Sequence, residues 1–302
     1  MNNQTTGDAM ENILRRSGMS ASTSKPEPIQ CQHCGIDKEQ IQVEHPFKKQ
    51  LHWVSCACPC EVQEREDFKR EQEAKEKRIR INKALKLSSA MEDIKSMTFE
   101  NYIRRSGTES AYEQVMTAVE DFDKRGKLGI FIFGETGNGK SHLTAAGGNA
   151  LINSGYAVVY ITEKDLLSRL QATRNFNNPE TFHEIMGACL EADLLIWDDF
   201  LSSQRLSNDE KDWIFQIING RERANKPIWM TSNITPDEFE SGSMAYKLDD
   251  KGRTWWRIIG NMDCVLNEAG NYRKSIAMAR AMGISPAEYE KLAQEANHER
   301  TY

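Results

Sequence analysis

Downstream of residue 127 the chain alternates short, almost unbroken apolar runs with longer stretches that are apolar on one side only. LGIFIF (128–133), YAVVYI (156–161), DLLIWD (193–198), PIWMTS (227–232) and DCVLNE (263–268) are brief and rich in β-branched and aromatic residues. A strand with one wet face alternates polar and apolar positions, so uninterrupted runs predict strands covered on both sides. The segments between them are long enough for crossover helices. The pattern therefore predicts an α/β fold with a parallel five-stranded sheet between helical layers.

The chain upstream follows different patterns. Residues 1–28 are rich in Ser, Thr, Asn and Pro, with one short amphipathic piece at 10–19, and predict a disordered tail. A cysteine-rich stretch follows. From residue 61 to about 86, EVQEREDFKREQEAKEKRIRINKALK mixes both charge signs without Gly or Pro, which predicts an exposed helical linker. The expected organisation is a tail (1–28), a metal-binding module (29–62), a helical linker (63–97), a nucleotide-binding domain (98–275) and a C-terminal helical extension (276–302).

With 302 residues, the chain can hold one substantial core and a smaller module. A charged fraction of 28%, a hydrophobic fraction of 39% and a net charge of -6 exclude bulk-charge binding of nucleic acid, so contact with DNA requires local patches. No stretch approaches the roughly 18 apolar residues of a membrane span, and MNNQTTGDAMEN lacks a signal-peptide core, so the expected location is the cytoplasm, with no membrane partner. Five of the seven cysteines fall between residues 31 and 60, and in a reducing compartment such clustering favours metal over disulfides. CQHC offers Cys31 and Cys34. CACPC offers Cys56, Cys58 and Cys60, and His33, His45 or His52 is an alternative ligand. Tetrahedral Zn²⁺ takes four such groups, and so short a segment has little apolar area to fold on without one.

The sharpest motif is GETGNGKS: Gly134, Glu135, Thr136, Gly137, Asn138, Gly139, Lys140 and Ser141, followed by His142. It sits between a predicted strand and a predicted helix, as a phosphate-binding loop must. Glycines let backbone N–H groups turn inward around a phosphate chain at a helix N-terminus, where the partial positive charge favours anions. Lys140 then reaches the outer phosphates of ATP and Ser141 ligates Mg²⁺. LLIWDDF closes another predicted strand with Asp198 to hold Mg²⁺ through water and Asp199 as general base. The next strand ends in Thr231, Ser232 and Asn233, and Asn233 is expected to orient the attacking water. Arg253, Arg257 and Arg273 follow, planar cationic forks suited to a transferring phosphoryl group.

Across about residues 99–273 the chain resembles the DnaC/DnaI helicase loaders, bacterial or phage-borne AAA+ ATPases related to the initiator DnaA. The resemblance rests on FENY (99–102), GETGNGKSHL, YITEKDLLSRL, LLIWDDF, MTSN, and RTWWR paired with a final NYR. It implies ATP hydrolysis, with Arg257 acting in trans as the finger in a self-associated assembly, Arg253 in support, and Arg273 as the sensor arginine of the bound subunit. It further implies that the N-terminal module takes its second ligand pair from Cys58 and Cys60 and grips a hexameric replicative helicase. The ATPase domain is then expected to sense nucleotide and single-stranded DNA. KDLLSRLQATRNF (164–176) falls where this family has a helical insertion near a central channel, which offers Lys164, Arg169 and Arg174 to phosphates and Phe176 to a base. The implied function is loading of the helicase on single-stranded DNA. An IstB-like transposition regulator has a similar ATPase core but usually a helical N-terminal domain. Asp in place of Glu as the base, and a tail running past Arg273, depart from the family pattern.

Overall fold

The computed structural model describes residues 25–47, 51–88, 92–202 and 205–299. The expected amphipathic piece at 10–19, with the rest of the tail to residue 24, lies outside the described residues. The chain divides into two compact units, Met1–Glu76 and Lys77–Tyr302.

In the first unit, strands β1 (Gln40–Glu44) and β2 (Leu51–Ser55) pair antiparallel, with Ile41 opposite Val54 and Val43 opposite His52. A 30-residue helix, α1 (Pro59–Ser88), begins there. Its start is set by proline at the first helical position and by Glu61, whose carboxylate accepts the Cys58 N–H at 3.1 Å. The helix is polar and exposed along its first turns, but Ala84 and Leu87 are buried in the core of the second unit and Ile81 packs beside them. The units thus part inside this helix, between Glu76 and Lys77.

In the second unit, α2 (Glu92–Lys95), α3 (Glu109–Glu120) and α4 (Phe122–Arg125) precede β3 (Gly129–Gly134). There follow α5 (Lys140–Asn153), β4 (Val158–Thr162), α6 (Glu163–Ala172), α7 (Phe182–Glu191), β5 (Leu194–Asp198), α8 (Asn208–Arg223) and β6 (Ile228–Ser232). Three short helices, α9 (Pro236–Ser241), α10 (Ala245–Leu248) and α11 (Arg253–Ile259), lead to β7 (Met262–Asn267), then α12 (Tyr272–Met282) and α13 (Pro286–Glu299). Helices α7, α8 and α9 each open on a Thr or Ser whose side chain and the Glu three residues on cap one another, at Thr181, Ser207 and Thr235. Among the described residues no helix is long and apolar enough to cross a membrane.

The five expected strands form one parallel sheet in the order β4-β5-β6-β3-β7. Successive side chains leave a strand on opposite faces, and both faces are apolar. Phe131, Phe133, Leu195, Trp197 and Met230 point into one core with α6, α7, α8 and α11. Ile130, Ile132, Leu194, Ile196 and Trp229 point into the other with α3 and α5. Helix α5 can lie close to the sheet because a Cβ at Gly147 would meet the Trp229 ring at 2.6 Å, and one at Gly148 the Ile196 Cδ1 at 2.6 Å.

Strand order decides where chemistry can occur. The strand carrying the phosphate-loop motif, β3, and the strand ending in Asp198, β5, are not neighbours: β6 lies between them. The three C-terminal ends therefore open side by side on one crevice, where ligands of doubly wound sheets bind.

Candidate nucleotide site and cysteine cluster

Between β3 and α5 the chain turns through three glycines in the left-handed region, Gly134, Gly137 and Gly139, with φ of 138°, 72° and 100°. Side chains are strained there, and a Cβ at Gly134 would also strike the Asn267 carbonyl oxygen at 2.5 Å. Lys140 opens α5 with its ammonium folded into the loop, donating to the carbonyls of Gly134 (3.0 Å) and Glu135 (2.7 Å) and to Asn138 Oδ1 (3.1 Å). Burial pulls it down to about 8, against the opposing pull of Asp199, Asp198 and Glu135. The lysine is a cation held at cost where phosphate oxygens would replace carbonyls.

Ser141 Oγ donates to Asp198 Oδ1 at 2.8 Å, so loop and acidic strand end meet across β6. Thr231, from β6, donates to the same carboxylate oxygen and accepts the Asp199 N–H at 3.0 Å. A hydroxyl and a carboxylate that converge in this way are hard oxygen donors, a set that fits Mg²⁺. Asp199 and Leu201 have positive φ, 52° and 61°, strained for non-glycine residues. The turn is held by Thr231, by Ser232 Oγ donating to the Phe200 carbonyl (2.7 Å), and by the buried Glu163 carboxylate, which accepts the Leu201 N–H at 2.7 Å. Asn233 Nδ2 donates to Asp199 Oδ1 at 3.2 Å. Burial, then the Asp198 charge, raises the Asp199 carboxyl, opposed by Asn233, Lys140 and Arg273. A raised carboxyl is the better base when ionised.

Lys140, Ser141, Asp199 and Asn233 line a cavity of about 410 Å³ with Thr136, His142, Tyr102, Arg105, Tyr272 and Arg273. His142 Nε2 lies 2.9 Å from Asn101 Oδ1, which fixes the lead-in segment over the cavity. Arg273 stands at the start of α12, beside a contact in which the Tyr272 N–H donates to the Gly137 carbonyl at 2.9 Å. Sequence reasoning assigns no role to Thr231, Glu163 or Arg105. Thr231 shares a strand face with Asn233 two positions on, a signal that was available. Glu163 reads locally as a first-turn helix acid, and nothing around Arg105 distinguishes it.

Arg253 and Arg257 sit on α11, outside this cavity, and both are exposed. Arg257 Nη1 donates to Asn219 Oδ1 and lies 3.4 Å from Glu222 Oε2. On the helix offered to DNA, Arg169 is otherwise engaged: its guanidinium pairs with both oxygens of Glu180 and donates to the Leu87 carbonyl. Arg174 pairs with Asp209. Lys164 and Phe176 are exposed, the latter fully.

In the first unit the sulfurs of Cys31, Cys34, Cys58 and Cys60 all lie within 4.8 Å of one another. Gly35, at φ 71°, turns the first pair, and Cys58 and Cys60 flank the N-terminus of α1, whose dipole favours thiolates. Cys31 is lowered to about 6, first by the Cys34 N–H and then by the Cys58 thiol. Four convergent thiols fit tetrahedral Zn²⁺. Among the described residues Cys56, His33, His45 and His52 stand outside the cluster, and the Cys56 N–H donates to the Glu39 carbonyl instead.

A family profile described as IstB-like ATP binding protein matches residues 60–250. The replicative helicase loader DnaC of Buchnera aphidicola subsp. Baizongia pistaciae (strain Bp) is 34% identical over 164 residues, 52% of this chain and 65% of that protein. DnaC of Escherichia coli (strain K12) is 33% identical over 171 residues, 55% of this chain and 67% of that one. The chain spans about two thirds of the length of these relatives. Among solved structures, a DNA replication initiation factor matches with a TM-score of 0.50 at 25% identity, over 63% of this chain and 56% of that one. The DnaC helicase loader matches in fold with a TM-score of 0.52 at 21% identity, over 59% of this chain and 99% of that one. With a phosphate loop, an acidic strand end and a profile match over more than half its length, the chain belongs to the IstB-like ATP-binding protein family, and its AAA+ unit is similar to that of DnaC-type helicase loaders.

Proposed function

We propose that this protein hydrolyses ATP to place a hexameric replicative helicase on single-stranded DNA. The observation that carries the enzymatic part is the 2.8 Å contact of Ser141 with Asp198 across β6, at the edge of a cavity that Ser141 lines with Lys140, Asp199, Asn233 and Arg273. Ser141 and Asp198 would hold Mg²⁺, which supplies charge neutralisation at the outer phosphates. The glycine loop wraps the phosphate chain with its N–H groups, and Lys140 exchanges its carbonyl partners for phosphate oxygens. Asp199 takes the proton of the attacking water, and Asn233, bonded to it, fixes the direction of that attack. Arg273 compensates charge from within the chain. Arg257 and Arg253, exposed and away from their own cavity, suit a role at a neighbouring subunit's nucleotide, so turnover would require assembly.

The loader reading adds the four-cysteine unit as the helicase-binding end, Lys164 and Phe176 as the DNA-facing groups, and the DnaC relatives as a functional analogy. The name of the matching family favours a second reading, an ATP-driven regulator of transposition on DNA. One experiment separates them: ATP turnover and helicase deposition on circular single-stranded DNA, with purified protein and the replicative helicase of its own cell. Loading that fails with Lys140→Ala supports the proposal. Turnover no greater than that of Lys140→Ala removes the enzymatic claim. Turnover that answers to a co-purifying transposase but not to the helicase assigns the second reading.

A further inference from the structure

The C-terminal extension has no part in the proposed chemistry, yet one of its side chains reaches the wall of the nucleotide cavity. Among the described side chains of α13 the partly buried ones are Pro286, Tyr289, Glu290 and Ala293, the spacing of an inward helical stripe. Ser285 fixes the start of the helix by accepting the Glu288 N–H at 3.2 Å. A carboxylate in an inward stripe is unfavourable unless a cation meets it. Glu290 Oε1 lies 2.7 Å from Arg105 Nη1, and the two side chains are only 20% and 9% exposed. Such a pair is little screened by solvent.

Arg105 joins the elements that frame the cavity. Its guanidinium donates to the Asn138 carbonyl, in the phosphate loop, at 3.2 Å, and to the Gly270 carbonyl at 3.1 Å. It also lies over the Tyr272 ring, at the start of α12, at 4.7 Å. Asn138 stands between Gly137 and Gly139, so a donor on its carbonyl holds the peptide plane that turns the neighbouring N–H groups inward. Glu290 supplies the carboxylate among these partners.

We propose that Glu290 is a positioning residue that locks Arg105 against the phosphate loop, so that the C-terminal extension sets how long bound nucleotide is retained. The inference rests on the reading of this cavity as a nucleotide site. Without the carboxylate, Arg105 keeps only its carbonyl partners and the Tyr272 ring, and the loop is less fixed in its phosphate-binding form. Any partner that draws α13 away would produce the same state, a route by which docking at the C-terminal end releases nucleotide.

The test is stopped-flow release of a ribose-labelled fluorescent ADP with Mg²⁺, using the full-length chain. Glu290→Gln and a chain ending after Met282 are expected to release it roughly three- to tenfold faster than wild type, the size of a modest coupling between contacting groups. Glu290→Asp is expected to recover part of the difference, and Glu290→Gln to add nothing in an Arg105→Gln background. Thermal melting of the nucleotide-free chain separates a merely structural role, which lowers the midpoint and leaves release unchanged. Release within twofold of wild type or slower, or an effect of Glu290→Gln that persists without Arg105, overturns the proposal while the nucleotide site stands. If wild type itself fails to bind the labelled ADP, the reading of the cavity falls and this inference falls with it.

Discussion

The two units achieve order by different means. In Lys77–Tyr302, apolar layers close on both faces of the sheet, and Trp197, Trp229 and Trp255 are almost fully buried. In Met1–Glu76, Cys31 and Cys58 are the only buried hydrophobic side chains among the described residues, while Ile36, Ile41, Val43, Phe47 and Leu51 are exposed. The larger unit positions its site through its own side chains: Asp198 meets Ser141 and Thr231, and Lys140 points into its loop. The smaller unit has four sulfurs where a core would be. One scaffold is built on its own apolar core, whereas the other offers four thiols that a metal would bind together.

Removing zinc should give the largest effect and expose this difference directly. Structural zinc contributes on the order of 10–16 kcal/mol in peptides that fold around it, so a chelator is expected to unfold the hairpin and its knuckle completely. Limited proteolysis would then cut within residues 25–58 while nucleotide binding survives. Cys58→Ser should behave in the same way, and Cys56→Ser as wild type. Protection of the hairpin in chelated protein would mean that the first unit does not depend on metal.

Arg257→Ala tests the larger unit in a place where the scaffold should not notice. Its partners Asn219 and Glu222 are surface groups, so the melting temperature should hardly move. An arginine supplied to transferring phosphate is worth roughly 10³–10⁵ in turnover, so ATPase activity is expected to fall by about three orders of magnitude with nucleotide affinity near normal. Mixing the variant with Lys140→Ala should restore part of the activity, because each then supplies what the other lacks. A mixture as inactive as its parts would place the arginine's action within one chain.

Sequence reasoning reached further in the larger unit, for physical reasons. A doubly covered strand must be apolar throughout, so the five runs located the sheet to within two residues, and the loop motif located the cavity. The hairpin of β1 and β2 escapes the sequence reading: QIQVE alternates strictly but spans only five residues, LHWVS does not alternate, and Ile41, Val43 and Leu51 are exposed, so no apolar core marks either strand. The four sulfurs that lie together are the four that the family resemblance points to, whereas spacing alone leaves Cys56 open. What the sequence hid were contacts between distant positions. Arg169 reads as a free surface cation until Glu180 is seen to clasp it, and Arg105 gains its meaning from Gly270 and Glu290.

A smaller effect tests the scaffold itself. Gly147→Ala places a methyl 2.6 Å from the Trp229 ring and 2.8 Å from Val115. Overpacking of this kind costs roughly 1–3 kcal/mol, somewhat offset by the better helix propensity of alanine. Thermal unfolding should show a lower transition for the larger unit and an unchanged response of the smaller one to chelator. A midpoint at or above wild type would mean that α5 is less closely set on the sheet than described.

The mildest prediction separates the units by pH. Lys140 is lowered to about 8 by burial in the loop, and phosphate oxygens would raise it again. Below pH 8 the lysine is charged in both free and bound states, so affinity for ATP is flat. Above pH 8 the free protein has lost the proton that the complex requires. Binding must then take one up, and affinity declines by at most tenfold per pH unit. Calorimetry at pH 7 and pH 9 in buffers of different ionisation enthalpy would register this uptake, and Lys140→Met should remove both the slope and the uptake. The thiol cluster responds in the opposite sense, since its ligands must be deprotonated to bind zinc and acid releases the metal. At pH 9 the protein is therefore expected to keep its zinc while its grip on nucleotide weakens, and in mild acid to do the reverse. Affinity for ATP unchanged between pH 7 and pH 9 would show that Lys140 is not the group held at cost in the loop.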